Sequence, residues 1–373
     1  MSLLLAALLW LGAVGLLAAL LWWAYRMPPQ VSFSRELPHN GFQGTRLLLT
    51  LRVALHSRLP VRYLIEDPTP RTVVPDAPLR LSGEMLGIQH LDVATRLTLN
   101  SRGVYLWPGA TLHWADPLGL FWHSVSIPAV QRLDVFPTPH GLRLPDLLRP
   151  LLSEGGLSRR LGLEDPISLR SVRGYASGDP PGRIHWRSSA RTGTLSVREP
   201  ERTAASSVTV YLDVSSGGEV FAESAVRLAA SLVQEALALG LPVSVATNAG
   251  ATPAGRHAEA LHAALLRLAQ LQPDPAPPVI PPTRSGGNLI ILSASPAPAL
   301  ITGAMRARAT ASRVAIVAMP EGFYLEPGEK PRRQWVAAPD AVRNLERQAG
   351  VLAGAGILVF VLRGNQSVLR LGG

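Results

Sequence analysis

The chain has 373 residues, 47% of them apolar, a formal net charge of +10 and no cysteine. The length fits two domains and an appendage, and the missing thiol excludes disulfides, thiolate zinc sites and cysteine nucleophiles. The charge suits an acidic partner, but Lys330 is the single lysine, so arginine supplies nearly all of it. No nucleic-acid-binding motif accompanies it, and no specific nucleic acid is expected.

Leu3 to Tyr25 is an almost unbroken apolar run without a charge. At about 1.5 Å per residue a helix there is long enough to cross a hydrocarbon core of about 30 Å. Trp22, Trp23 and Tyr25 at its end read as an interfacial aromatic belt. No basic segment precedes the run and no small-residue cleavage site follows it, which favours a retained anchor over 1–26 rather than a cleaved leader. Arg26, Arg35, Arg46 and Arg52 all follow the run. The positive-inside rule then predicts a single-pass protein of the cell (inner) membrane with its body in the cytoplasm.

The stretch 32–137 reads as an all-β, sandwich-like domain. Leu47, Leu49, Leu51, Val53 and Leu55 alternate with Leu48, Thr50, Arg52, Ala54 and His56, the period of a half-buried strand. Val93 to Leu99 repeats it more briefly. Pro, Gly and Asp separate these runs at short intervals, as in a small sandwich. In the phrases Arg102–Gly109 and Asp116–Phe121, Gly103 and Gly119 are expected at turns, and Leu120 and Phe121 as plugs of the core.

Residues 138–206 form a connector, with a short amphipathic piece expected at Pro145–Leu152 and an exposed turn at Ser158–Arg160. The connector carries the most distinctive stretch, 173–201, RGYASGDPPGRIHWRSSARTGTLSVREPE. Its GDPPG core fixes a tight reversal. Arg173, Asp179, Arg183, Arg187, Arg191, Arg198 and Glu199 flank it, and Trp186 sits between Arg183 and Arg187. One reading is a basic fork for a partner's carboxylate or phosphate. The other is structural: Asp179 and Glu199 neutralise arginines internally, Arg183 or Arg191 returning to Asp179, and Trp186 locks the turn to the sheet.

From 207 to 373 strands and helices alternate. Val208–Val214, Leu241–Thr247, Leu289–Ser293, Val314–Met319 and Ile357–Leu362 read as buried strands. Phe221–Leu239, Arg256–Leu271, Pro298–Thr310 and Asp340–Gly350 read as helices, and Pro273–Pro282 as an extended loop. The alternation predicts a mostly parallel α/β sheet covered on both faces. Asp213 and Ser215 lie at the carboxyl end of its first strand, where such sheets bind ligands. Asp213 capping the next helix or bonding to its loop is the plainer reading. Conventional catalysis has little support: the nine histidines are scattered, and no H-E-x-x-H, G-x-S-x-G or phosphate loop is present.

The stretch through Arg173, Tyr175, Gly178, Asp179, Arg183, Ile184, Trp186, Ser189, Ala190, Arg191, Gly193, Leu195, Val197, Arg198 and Glu199 closely resembles the signature of the family of domain of unknown function 58. The resemblance implies that the last domain has a von Willebrand factor A-like fold. Such a fold carries a D-x-S-x-S motif that holds a divalent cation such as Mg²⁺. Here it would be a degenerate site of Asp213 and Ser215, with Gly217 where the second hydroxyl belongs. The resemblance also implies a partner, a MoxR-type AAA+ ATPase. The function expected is therefore a membrane-anchored, non-catalytic scaffold or adaptor binding that ATPase or another protein. Its alternatives are a metal-dependent hydrolase at the Asp213 loop and a binder of an anionic polymer.

Overall fold

The computed structural model describes residues 2–139, 169–176, 179, 184–200, 207–283, 287–320, 340–362 and 368–371. The chain divides into two compact units, Met1–Pro137 and Thr138–Gly373. The expected pieces at Pro145–Leu152 and Ser158–Arg160 lie outside the described residues.

The first unit begins with helix α1 (Ser2–Tyr25). Its segment Ala7–Tyr25 has mean hydropathy 2.0, and the helix is long and apolar enough to span a membrane. Nine strands follow: β1 (Gln30–Glu36), β2 (Asn40–Phe42), β3 (Arg46–Glu66), β4 (Val73–Pro75), β5 (Arg80–Leu99), β6 (Gly103–Trp107), β7 (Ala110–Ala115), β8 (Trp122–Ile127) and β9 (Gln131–Phe136). They form a six-stranded sheet in the order β4-β5-β3-β7-β8, with β1 also on β3, and a three-stranded sheet β2-β9-β6. The alternation read at Leu47–His56 holds: Leu49, Leu51, Val53 and Leu55 are buried while Leu48 is exposed. Leu49, Leu51, Leu97 and Leu99 of the large sheet share one core with Trp107, Leu133 and Val135 of the small one. The strands are longer than the spacing of Pro and Gly suggested. β3 has 21 residues and β5 has 20, because Pro60 falls in an irregularity of the β3–β5 ladder between Ser57 and Val61 that keeps both strands in one sheet.

Two expectations for this unit are corrected. Tyr25 does not join an exposed aromatic belt; it is buried against Val53, Val61, Tyr63 and Trp114, and its carbonyl accepts a 2.8 Å bond from Trp114 Nε1. Leu120 is no plug of the core but exposed, as are Leu118 and Trp122.

The second unit carries a small antiparallel pair, β10 (Leu169–Gly174) and β11 (Ser196–Pro200), with helix α2 (Trp186–Thr192) between them. Beyond it come β12 (Val208–Asp213), α3 (Gly218–Ala238), β13 (Val243–Thr247), β14 (Gly250–Ala251), α4 (Ala258–Gln270), β15 (Asn288–Ser293), α5 (Pro298–Ala307), β16 (Arg313–Ala318), α6 (Asp340–Gly354), β17 (Ile357–Leu362) and β18 (Val368–Leu371). The seven strands run β14-β13-β12-β15-β16-β17-β18. β13, β12, β15, β16 and β17 are parallel, and antiparallel β14 and β18 close the edges. Continuous apolar runs such as Val208–Leu212 and Leu289–Leu292 are buried throughout, as a sheet covered on both faces requires. From β12 the chain first adds β13 on one side, then returns to place β15 on the other. The strand order therefore reverses between β12 and β15.

Candidate functional site

The signature stretch builds a compact hairpin. β10 and β11 pair Arg173 with Val197 and Gly174 with Ser196, and Tyr175 N donates to Leu195 O at 2.8 Å. Asp179 makes the expected ion pair, and Arg173 is a partner the sequence reading did not name. Arg173 reaches both carboxylate oxygens, NH1 to Oδ2 at 2.8 Å and NH2 to Oδ1 at 2.6 Å. The same carboxylate accepts Ala176 N at 2.9 Å, so Asp179 also caps the turn. Arg191 is exposed and carried away on α2, whereas Arg173 stands on the strand that leads into the turn. Arg183 and Gly178 lie outside the described residues. The pair is only part-buried, the Arg173 side chain being 46% and that of Asp179 15% exposed.

The far side of the hairpin is held by short polar links. His185 caps α2, its Nδ1 accepting Ser188 N at 3.1 Å. With Nδ1 accepting, the neutral ring carries its proton on Nε2, a structural role for this histidine. Ser189 is buried; its Oγ accepts Ser196 N at 2.9 Å and donates to His185 O at 3.1 Å. These bonds, not Trp186, lock the turn to β11. Trp186 is 66% exposed, and Tyr175 and Leu195 are also exposed. Arg187 and Arg191 join them on the surface. Arg198 and Glu199 stand on β11 opposite Val172 and Ser171. The hairpin therefore combines an internally bonded frame with exposed aromatic and cationic side chains.

The second candidate is Asp213. It is buried at the carboxyl end of β12, beside the point where the strand order reverses. Its Oδ1 accepts Ser215 Oγ at 2.6 Å and Ser215 N at 3.2 Å. Its Oδ2 accepts Ser293 Oγ, from the end of β15, at 2.7 Å. The loop bonding expected of Asp213 is present, but the cap of α3 is Gly217. Ser293 is the residue that sequence reasoning missed. Its signal was a hydroxyl at the end of the expected strand Leu289–Ser293, which the structure places beside β12.

These residues do not fit a divalent cation held as D-x-S-x-S. Gly217 has φ +95°, and a Cβ there would lie 2.5 Å from Ala294 Cβ and 2.7 Å from Phe221 Cβ, so no hydroxyl-bearing side chain can occupy the position. The Ser215 and Ser293 hydroxyls already serve the carboxylate, while the buried Ser216 Oγ has no hydrogen-bond partner among the described residues. Among the described residues no group of three or more His, Asp or Glu side chains is placed to hold a metal.

Beside Asp213 a cleft of about 280 Å³ is lined by Val214, Thr247, Asn248, Arg267, Gln272 and Asp274, among others. Asn248 is its hub. Its Oδ1 accepts the Tyr211 hydroxyl at 2.7 Å and Val279 N at 3.1 Å, and its Nδ2 donates to Asp274 at 3.3 Å. Burial, reinforced by the charge of Asp213, pushes the Tyr211 phenol well above its ordinary value, so Tyr211 serves as a neutral hydrogen-bond donor here.

The model of the family described as "Protein of unknown function DUF58" matches residues 171–285, which supports that family for the stretch holding both candidates. No curated protein matches the chain. Among solved structures, a CARDB domain from Pyrococcus furiosus in complex with di-metal ions is similar at 11% identity and TM-score 0.20, over 29% of this chain and 88% of that one. A protein of unknown function from Porphyromonas gingivalis W83 is similar at 13% identity and TM-score 0.25, over 32% of this chain and 52% of that one. A PKD domain of an M14-like peptidase from a Thermoplasmatales archaeon is similar at 19% identity and TM-score 0.15, over 28% of this chain and 96% of that one. Likenesses this slight carry no argument about this chain.

Proposed function

We propose that the protein is a membrane-anchored, non-catalytic adaptor that docks a protein partner on the hairpin around Trp186. The observation that carries this reading is the division of labour within the signature. Arg173, Asp179, His185 and Ser189 are spent on the frame, while Tyr175, Trp186, Arg187 and Arg191 face solvent. Exposed Trp, Tyr and Arg on a rigid frame are the residue types that dominate binding energy at protein interfaces. The partner implied by the family resemblance is a MoxR-type AAA+ ATPase. The parallel sheet, with an acid at the end of its first strand, supports a von Willebrand factor A-like reading of the second unit, in a form that binds protein without a cation. The apolar helix α1 and the arginines that follow it support a single-pass anchor in the cell (inner) membrane with the body in the cytoplasm.

The intact chain, purified in detergent from its own cells, should co-purify with an AAA+ ATPase in a nucleotide-dependent way. The Trp186→Ala/Arg191→Ala variant should lose that partner while keeping its unfolding transition. Capture that is indifferent to both nucleotide and these substitutions would sink the reading. Binding to anionic polymer with a steep salt dependence would replace it with the polymer reading.

A further inference from the structure

We propose that the loop Asp116–Trp122 is a second membrane contact, which lies against the lipid interface of the bilayer that α1 crosses; the inference rests on the anchor reading above. On one edge of β3, β1 pairs as far as Gln30 opposite His56, and β7 starts with Ala115 opposite Arg62. Residues 57–61 of that edge lie between them. The chain leaving α1 enters β1 at one side of this gap, and the loop leaves β7 at the other. The helix end is fixed there: Tyr25 is buried against Val61 and Trp114, and Trp114 Nε1 holds its carbonyl.

Around this point exposed apolar side chains gather: Met27 after the helix, Leu59 in the gap, Leu86 on β5 just past the Val61–Met85 pair, and Leu118, Leu120 and Trp122 on the loop. Scattered exposed apolar side chains are ordinary; six around the end of one membrane-length helix are not. The loop's exposure is built rather than frayed. Asp116 is fully buried. Its Oδ1 accepts Leu118 N at 2.9 Å, and its Oδ2 accepts Leu120 N at 2.9 Å and Phe121 N at 2.8 Å. Gly119, at φ +73°, completes the turn. One buried carboxylate thus spends its lone pairs on three amides of a loop that turns two leucines outward.

The occupant is a lipid surface rather than a protein, because the patch is continuous with a helix whose own apolar surface is exposed. Two exposed arginines also stand within it, Arg26 and Arg58, placed to meet anionic headgroups. Tryptophan and leucine beside arginine is the composition of an interfacial segment.

The chain has no cysteine, so single cysteines report cleanly. The full-length protein is placed in phosphatidylcholine vesicles containing about one-third phosphatidylglycerol. A fluorophore is attached in turn at Leu118→Cys, Leu120→Cys, Trp10→Cys in α1, and Val130→Cys, an exposed site beyond the other end of β8. Quenching by nitroxide-bearing lipid is then read, and each variant is checked for an unchanged unfolding transition. At Leu118 and Leu120 quenching should exceed that at Val130 at least about threefold, approaching the level expected of a segment partitioned into the interface. Quenching at Trp10 with loop sites equal to Val130 would overturn the loop contact and leave the anchor standing. Loop sites shielded from both lipid and aqueous quenchers would place a protein there and overturn it too. No quenching at Trp10 would remove the anchor reading, and the loop contact with it.

Discussion

Two arginine–aspartate pairs of the same chemistry stand in the two units. Arg35 and Asp67 belong to the first, Nε meeting Oδ2 at 2.8 Å and NH2 meeting Oδ1 at 2.7 Å, with each side chain only 1% exposed. Arg173 and Asp179 make the same two-pronged contact in the second, at its surface. The buried pair is surrounded by further partners. Trp107 Nε1 donates to Asp67 at 3.1 Å, Arg35 donates to the carbonyls of Ala129 and Pro108, and its guanidinium lies 4.9 Å from the Trp107 ring centroid. The surface pair holds one turn and borders water. Geometry alone does not rank them; burial does. A charge taken out of water is expensive, and losing its partner leaves that cost unmatched.

The comparison breaks most sharply at Asp67. Asp67→Ala leaves the Arg35 guanidinium buried and unpaired, and unfolding of the first unit should become easier by about 3–5 kcal/mol. Chemical denaturation of the full chain in detergent, followed at Trp107, measures this. The double variant Arg35→Met/Asp67→Leu should recover much of the loss, since an apolar pair of similar volume replaces buried charges at little cost. A loss below about 1 kcal/mol, typical of an exposed pair, would mean that water reaches the site.

Asp213 sharpens the comparison as a buried acid met by hydroxyls instead of a cation. Ser293→Ala strips Oδ2 of its donor and should cost about 1–3 kcal/mol, the penalty of an unsatisfied buried acceptor. Added Mg²⁺ should not restore it. A stabilisation near 2.7 kcal/mol at a hundredfold excess over Kd would show that the carboxylate does take a cation.

What was legible in the sequence follows the range of each interaction. The Leu47–His56 alternation and the buried runs at Val208–Leu212 and Leu289–Leu292 are local patterns, and the structure keeps them as strands. The continuation of β3 past Pro60 was not legible, because proline reads as a break unless the partner strand is known. Asp67 lies 32 residues from Arg35 and Ser293 lies 80 from Asp213, so neither contact leaves a local signal. At the signature the charges were visible but not their pairing. Sequence proximity favoured Arg183 and Arg191 for Asp179; Arg183 lies outside the described residues, Arg191 is exposed on α2, and the β10–β11 register sets Arg173 beside the turn. Nor could spacing tell which large side chains are exposed: Trp186 and Leu120 were read as packing residues, and both face solvent.

Asp179→Ala tests the surface pair. The half-exposed Arg173 can turn to water, so losing the cap bond and the screened ion pair should cost about 1–2 kcal/mol. Arg173→Lys, which keeps the charge but not the two-pronged geometry, should lose about half as much. A cost of about 3 kcal/mol or more would place the surface pair with the buried one and dissolve the contrast.

The smallest effect on folding is expected at Trp186, and there the effect on binding should be largest. Its ring is exposed at the first residue of a seven-residue helix, and the bonds that hold that helix come from His185 and Ser189. Trp186→Ala removes none of them, so thermal unfolding should stay within about 0.5 kcal/mol of the parent. Truncating a tryptophan at the centre of an interface typically costs about 2 kcal/mol or more, roughly thirtyfold in Kd. Asp179→Ala should do the reverse, lowering stability while binding of the folded fraction changes less. Measuring both variants by unfolding and by partner capture separates frame from contact. If Trp186→Ala unfolds early and the folded remainder binds as the parent does, the tryptophan belongs to the frame and the docking surface lies elsewhere.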